Sequence, residues 1–227
     1  MGKRYNRAKD AFERFLPKYS RIPLLLVFGF NSLVYFVSKL FIDYSDAYDL
    51  SLWLDTVIPF STFFITFYIG AYLQWGISYI AAGRESREFC YRIVTADLVA
   101  KIFCFLFFTI MPTAIVRPDV TGNSVLDFLT RAIYAMDTPA VNLFPSIHCL
   151  ESWVAIRCAF SMKKVGNVYR AITVFISLGV FMSVVFLKQH YLVDIPAGIL
   201  VFELALLLTK KFKLDRFLDK GMKLIKR

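Results

Sequence analysis

The sequence predicts an all-α polytopic membrane protein, a bundle of six transmembrane helices with both termini cytoplasmic. Three observations carry this expectation. Of 227 residues, 58% are apolar and 19% charged, against about half and about a quarter in soluble globular chains. Residues 56–83 form a run of 28 without Asp, Glu, Lys or Arg and 171–187 a second of 17, where a spanning helix needs about 20. The cations are segregated: residues 1–21 carry seven, 84–92 three, 163–170 three and 210–227 eight, whereas the intervening stretches between spans hold only Arg117, Arg131 and Lys188. Twenty-one against three is a strong positive-inside signal. A net charge of +10 concentrated beside membrane segments also excludes a disordered or nucleic-acid-binding basic protein.

Taken in order, residues 1–21 form a cytoplasmic basic segment with a helical apolar stripe of Tyr5, Ala8, Phe12, Phe15, Leu16 and Tyr19. It lacks the pattern of a cleaved leader, and Asn6 stands where a myristoylation signal needs Ser or Thr, so the first helix is expected to stay in the mature chain. The spans are expected at 22–42, 57–82, 93–116, 145–162, 171–188 and 192–209, making 22–209 one membrane domain whose catalytic half is about 93–209. Lys39 precedes Asp43, and Asp97 precedes Lys101, by four residues, so each couple can pair on one helix face. The loop after the first span is acidic, with Asp43, Asp46, Asp49 and Asp55. Arg157 and Glu203 lie nine residues past His148 and Asp194, at the same depth in two parallel spans, so they are expected to pair.

Residues 210–227 form a second basic tail with Leu214, Phe217, Leu218 and Ile225 on one stripe. Both tails are expected to lie on anionic lipids of the inner leaflet. Cys90, Cys104, Cys149 and Cys158 show no metal or disulfide spacing and read as packing residues. Neither an internal repeat nor a low-complexity linker is visible.

The chain has two histidines, and both fall at the outer end of a span. His148 follows Pro145-Ser146-Ile147 at a helix start, where free N–H groups favour an anion and Ser146 can donate to a phosphate. His190 precedes Asp194 by four residues, so the carboxylate can fix its tautomer and leave the other ring nitrogen as a nucleophile. Arg117 and Lys188 can reach the same anion. Glu151, one turn inside His148, and Tyr191, beside His190, are candidate substrate contacts. Together these are parts for phosphoryl transfer: a nucleophile, an acid for the leaving oxygen, and phosphate ligands.

Arg117-Pro118, Pro145-Ser146-Ile147-His148 and Ser183, His190 and Asp194 resemble, in order, the three motifs K-x6-R-P, P-S-G-H and S-R-x5-H-x3-D of the type-2 phosphatidic-acid phosphatase/haloperoxidase superfamily. The resemblance spans the last half of the chain. Ile110, Ile147 and Val184 replace the motif lysine, glycine and arginine, a pattern similar to the divergent inositol-phosphorylceramide-synthase-like branch. What the resemblance implies is a multi-pass lipid phosphatase of a bacterial plasma membrane. It would act at the outer leaflet, on a phospholipid or isoprenoid phosphate, through a phosphohistidine and with neither metal nor cofactor. His190, His148 and Asp194 would be catalytic, and Arg117, Ser146 and Lys188 would bind phosphate. A lipid head-group phosphotransferase is the alternative, since either water or a hydroxyl can take the phosphoryl group. A non-enzymatic lipid-binding or transport protein using Arg157 and Glu203 is the alternative of another class.

Overall fold

Charged and proline-bearing stretches divide the apolar runs into six long helices. The computed structural model describes residues 10–41 and 47–224. The long helices are α1 (Lys18–Ser38), α2 (Ile65–Glu85), α3 (Arg87–Ile110), α5 (Ile147–Ser161), α6 (Asn167–Phe186) and α7 (Asp194–Phe212). Two shorter ones, α4 (Val125–Met136) and α8 (Asp215–Leu224), accompany them, with helical residues at 10–15, a short helix at Trp53–Val57 and single 3-10 turns at Lys39–Phe41 and Thr62–Phe64. The described residues contain no β-strand, only isolated bridges of Tyr48 with Thr113 and Ala114 with Val141. The protein is therefore all-α. Three helical stretches, Lys18–Phe41, Arg87–Ile110 and Asn167–Phe186, are long and apolar enough to cross a membrane.

Helix limits differ from the expected spans for local reasons. The second begins at Ile65 rather than 57, because the chain is extended at Ile58 and Ser61 around Pro59. Ser86 is the one residue between α2 and α3. Its hydroxyl accepts from Phe89 N at 3.1 Å and starts α3 six residues before the expected 93. Pro112 cannot continue a helix and disfavours helical backbone at Met111, so α3 stops at Ile110 and residues 113–118 run extended towards the site. The amphipathic α4 was not among the expected elements. A reciprocal capping box of Ser124 and Asp127 opens it, and it lies across one end of the bundle.

Packing puts the polar helices inside. α3 packs along α1 and α7, α5 along α6 and α7, and α2 along α3, α5 and α6. Tyr79, Tyr91, Val94, Phe108, Leu150 and Phe202 are among the buried side chains of the central cluster. The surface stays apolar: Leu25 and Leu73 are each 70% exposed, and Phe175 and Leu200 each 66%. Such a continuous apolar exterior belongs against lipid. Gly198 allows α7 to touch α5, since a Cβ there would stand 2.5 Å from Ser146 O.

The charged side chains along the long helices pair. Arg157 Nε lies 2.7 Å from Glu203 Oε1, which also accepts from Trp153 Nε1 at 2.8 Å, as the shared nine-residue offset predicts. Lys101 donates to Asp97 Oδ1 at 2.6 Å, the expected i,i+4 pair, and also to Glu151; all three are buried. Asp43 lies outside the described residues; Lys39 instead stands 3.7 Å from Asp137. The four cysteines are buried and unpaired.

Of the N-terminal stripe, Tyr5 and Ala8 lie outside the described residues, and Phe12 and Phe15 are half exposed. In the tail, α8 docks on α3 through Leu218, the buried Met222 and ion pairs of Arg87 with Asp219 (2.6 Å) and Arg92 with Asp215 (3.8 Å). Phe217 remains exposed, and Ile225 lies outside the described residues.

Candidate active site

Both histidines stand at one end of the bundle, where α1, α3 and α6 finish and α2, α5 and α7 begin. After α6 the chain turns sharply: Lys188 takes a left-handed φ of 49°, and the N–H groups of Gln189 and His190 both bond to Val184 O. This turn sets His190 four residues before α7, with Asp194 the first residue of that helix. His190 Nδ1 lies 3.0 Å from Asp194 Oδ2 and 2.9 Å from Leu143 O. A carbonyl oxygen can only accept, so Nδ1 carries the proton and Nε2 the lone pair. Leu143 is held in place from behind. Asn142, at φ 63°, donates to Ser38 Oγ of α1 at 2.9 Å, and Leu143 N donates to Thr113 Oγ1 at 3.2 Å.

His148 faces His190 with ring centroids 5.7 Å apart. It stacks on Tyr68 at 4.4 Å, and the Tyr72 hydroxyl lies 3.3 Å from its Nε2. Ser146 caps α5, its hydroxyl accepting from Cys149 N at 3.3 Å, so it fixes the start of the helix that carries His148. Arg117 donates to the Asp137 carboxylate and to Gln189 Oε1, and its guanidinium lies over the Tyr134 ring.

Three further expected site residues have protein partners. The Lys188 ammonium donates to Asp55 O at 2.8 Å and Ile58 O at 2.6 Å, tying the 55–58 backbone to the turn. Glu151 accepts from Tyr79 OH at 2.9 Å and from Lys101, on the side of α5 turned towards α2 and α3 and away from the histidines. Three residues of helix rotate a side chain about 60° short of a full turn, enough to move it from one groove to the next. The Tyr191 hydroxyl donates to Ala114 O at 3.0 Å.

The histidines lie between two cavities. One of about 470 Å³ is lined by Asp49, Asp55, Arg117, Lys188, His190 and Tyr191. The other, of about 220 Å³, is lined by Tyr35, Tyr68, Tyr72, Trp75, Asp137 and His148 and opens sideways past the exposed Phe36 and Met136. A waist of about 40 Å³, touched by both histidines and Asp137, lies next to this second space. The exposed Asp49 carboxyl is held below its usual range by hydrogen bonds from Ser51, and burial raises the Tyr191 hydroxyl, so at neutral pH the first cavity sets the Asp49 carboxylate and a neutral phenol beside Arg117 and Lys188.

No family model, curated protein or solved structure matches the chain. The site's chemistry therefore rests on its own geometry. Among the described residues no three His, Cys, Asp or Glu side chains converge as a metal site. The sequence reading missed Lys39, Tyr35, Tyr68, Asp137 and Gln189. Gln189 had a signal, standing next to His190 in the sequence. The others are brought in from α1, α2 and the end of α4 by tertiary packing alone.

Proposed function

We propose that the protein is an integral membrane enzyme that cleaves a phosphate monoester or diphosphate of a lipid at the outer leaflet through a phosphohistidine on His190. It belongs, on this reading, to the type-2 phosphatidic-acid phosphatase superfamily. All six long helices would span the membrane, with both termini cytoplasmic and the site facing outside the plasma membrane. The positive-inside distribution of cations supports that orientation. α2, α5 and α7 would each set polar side chains within the bundle, among them Gln74, Glu151 and Asp194. With 15 residues, α5 rises about 22 Å, less than a bilayer core, which would sink His148 below the lipid head-groups.

One observation carries the chemistry: His190 Nδ1 is held by Asp194 and Leu143 O, with His148 facing it across the waist. In the first half-reaction His190 Nε2 would form a bond to phosphorus, while the phosphorus–oxygen bond to the lipid breaks and His148 protonates the departing oxygen. In the second, water would attack the phosphohistidine, its proton passing to His148, and phosphate would leave. The sideways cavity suits the lipid, because it opens on the apolar flank beside His148. The wider cavity beside His190 suits the acceptor.

Its volume of about 470 Å³ exceeds what water needs and is the observation favouring the second reading, a head-group phosphotransferase with a hydroxyl acceptor. Arg157 and Glu203 neutralise each other and give no support to a transport path.

The test is phosphate release by purified protein from phosphatidic acid, lysophosphatidic acid, phosphatidylglycerophosphate and undecaprenyl diphosphate, with and without EDTA and with diacylglycerol or inositol added. Release that persists in EDTA and is lost in His190→Ala is expected. Phosphate recovered on the added hydroxyl compound, with the lipid released as its alcohol, would establish the transferase, and unchanged turnover in His190→Ala would remove the proposal.

A further inference from the structure

Beside the histidines stands a charge cluster that the reaction above does not use. The Asp137 carboxylate, at the end of α4, accepts from Arg117 Nη2 and from the Tyr35 hydroxyl, and Lys39 Nζ lies 3.7 Å from it. Lys39 also donates to Tyr35 OH at 2.7 Å. Two elements distant in sequence, α1 with its terminal turn and the 113–118 segment, thus converge donors and cations on one carboxylate at the end of α4. This carboxylate borders the same waist as His148 and His190. Two further donors nearby have no partner among the described residues: the buried Arg117 Nε and the buried Gln189 Nε2.

We propose that Asp137 is a built-in stand-in for the phosphoryl group, and that the anion site proper consists of Arg117, Lys39, Tyr35 and Gln189. The proposal rests on the phosphoryl-transfer reading and extends it to residues from the first helix. A carboxylate and a phosphoryl group ask for the same partners, a guanidinium fork, an ammonium and a hydroxyl donor. The waist, about 40 Å³, holds a few waters and no phosphoryl group while Asp137 borders it. The same side chain also lines the sideways cavity, about 220 Å³, so a change of rotamer moves it there and frees Arg117 and Lys39. Charge decides the ligand class. With Asp137 displaced, Lys39 and Arg117 offer two positive charges, the complement of a monoester dianion. With Asp137 in place only one remains uncompensated.

A stand-in competes with the ligand, whereas a residue that merely positions Arg117 assists it, so the two roles predict opposite signs. Orthovanadate and inorganic phosphate are titrated calorimetrically into the purified full-length protein in detergent, a readout independent of turnover. Asp137→Asn keeps the side chain's shape and removes its charge, and it is expected to bind either anion about tenfold more tightly than the natural chain, the size of one charge-assisted hydrogen bond lost by the competitor. Equal or weaker binding by Asp137→Asn overturns the stand-in. Lys39→Met is expected to bind about tenfold more weakly, with Lys39→Arg restoring affinity; unchanged affinity in Lys39→Met overturns the inference even if Asp137→Asn fails to fold. Absence of anion binding by the natural chain would instead remove the phosphoryl-transfer reading, a result distinct from either variant's failure.

Discussion

His190 owes its tautomer to two acceptors on one nitrogen, and Asp194 is the one a conservative change can alter. Asp194→Asn should keep the shape of the turn yet lower kcat by about 10²- to 10⁴-fold, the range for a mispositioned acid–base group, with KM little changed. A rate equal to that of the natural chain would show that Leu143 O suffices. Glu151 has the opposite expectation. Because its carboxylate meets Tyr79 and Lys101, Glu151→Gln should lower the thermal midpoint while leaving head-group preference and the pH–rate profile unmoved. A shifted profile would return Glu151 to the chemistry. The two histidines and Asp194 were legible in the sequence because their relation is local: a proline-led helix start and a four-residue spacing. Asp137 was not, since Lys39 reaches it across 98 positions and Tyr35 across 102. The bonds from Lys188 to the 55–58 backbone were illegible for a related reason, since no spacing announces a contact across 130 positions.

At the scale of elements, the site depends on how closely α5 and α7 approach. Gly198→Ala would press a methyl group within 2.5 Å of Ser146 O and 3.0 Å of Leu150 N, so the helices must part. A separation near 1 Å between the His148 and His190 carriers should cost about 10²-fold in kcat, measured beside a thermal unfolding curve to show the bundle intact. Full activity in that variant would mean the histidines tolerate a looser seam. The six long helices were legible because apolar runs and basic interruptions alternate, yet their limits moved where backbone chemistry intervened, at Pro59, Ser86 and Pro112. α4 escaped because it is short and amphipathic, without the long apolar run that reveals a spanning helix, and its signal was the Ser124–Asp127 capping box. The Arg157–Glu203 pair was legible through depth arithmetic alone, since two parallel helices share one rise per residue.

For the whole molecule, the proposed orientation sets the basic end in the cytoplasm and the histidine end outside. The four native cysteines are buried, so a cysteine introduced at Asn123 should react with a membrane-impermeant maleimide in intact cells, and one at Lys220 only after permeabilisation. The reverse pattern would invert the topology and place the site on the inner leaflet. The two-cavity layout around the histidines was not legible in the sequence, because α1, α2 and α4 build one of its walls from residues remote from every motif. The central claim, a covalent phosphohistidine on His190, is tested by mixing the purified protein with phosphate-labelled lipid substrate, quenching in alkali and mapping the label by mass spectrometry. Acid-labile phosphate on the peptide carrying His190, absent from His190→Ala and accumulating in His148→Ala with a substrate bearing a good leaving group, is the predicted result. Turnover of the same lipid with no label on His190 at any time point would contradict it.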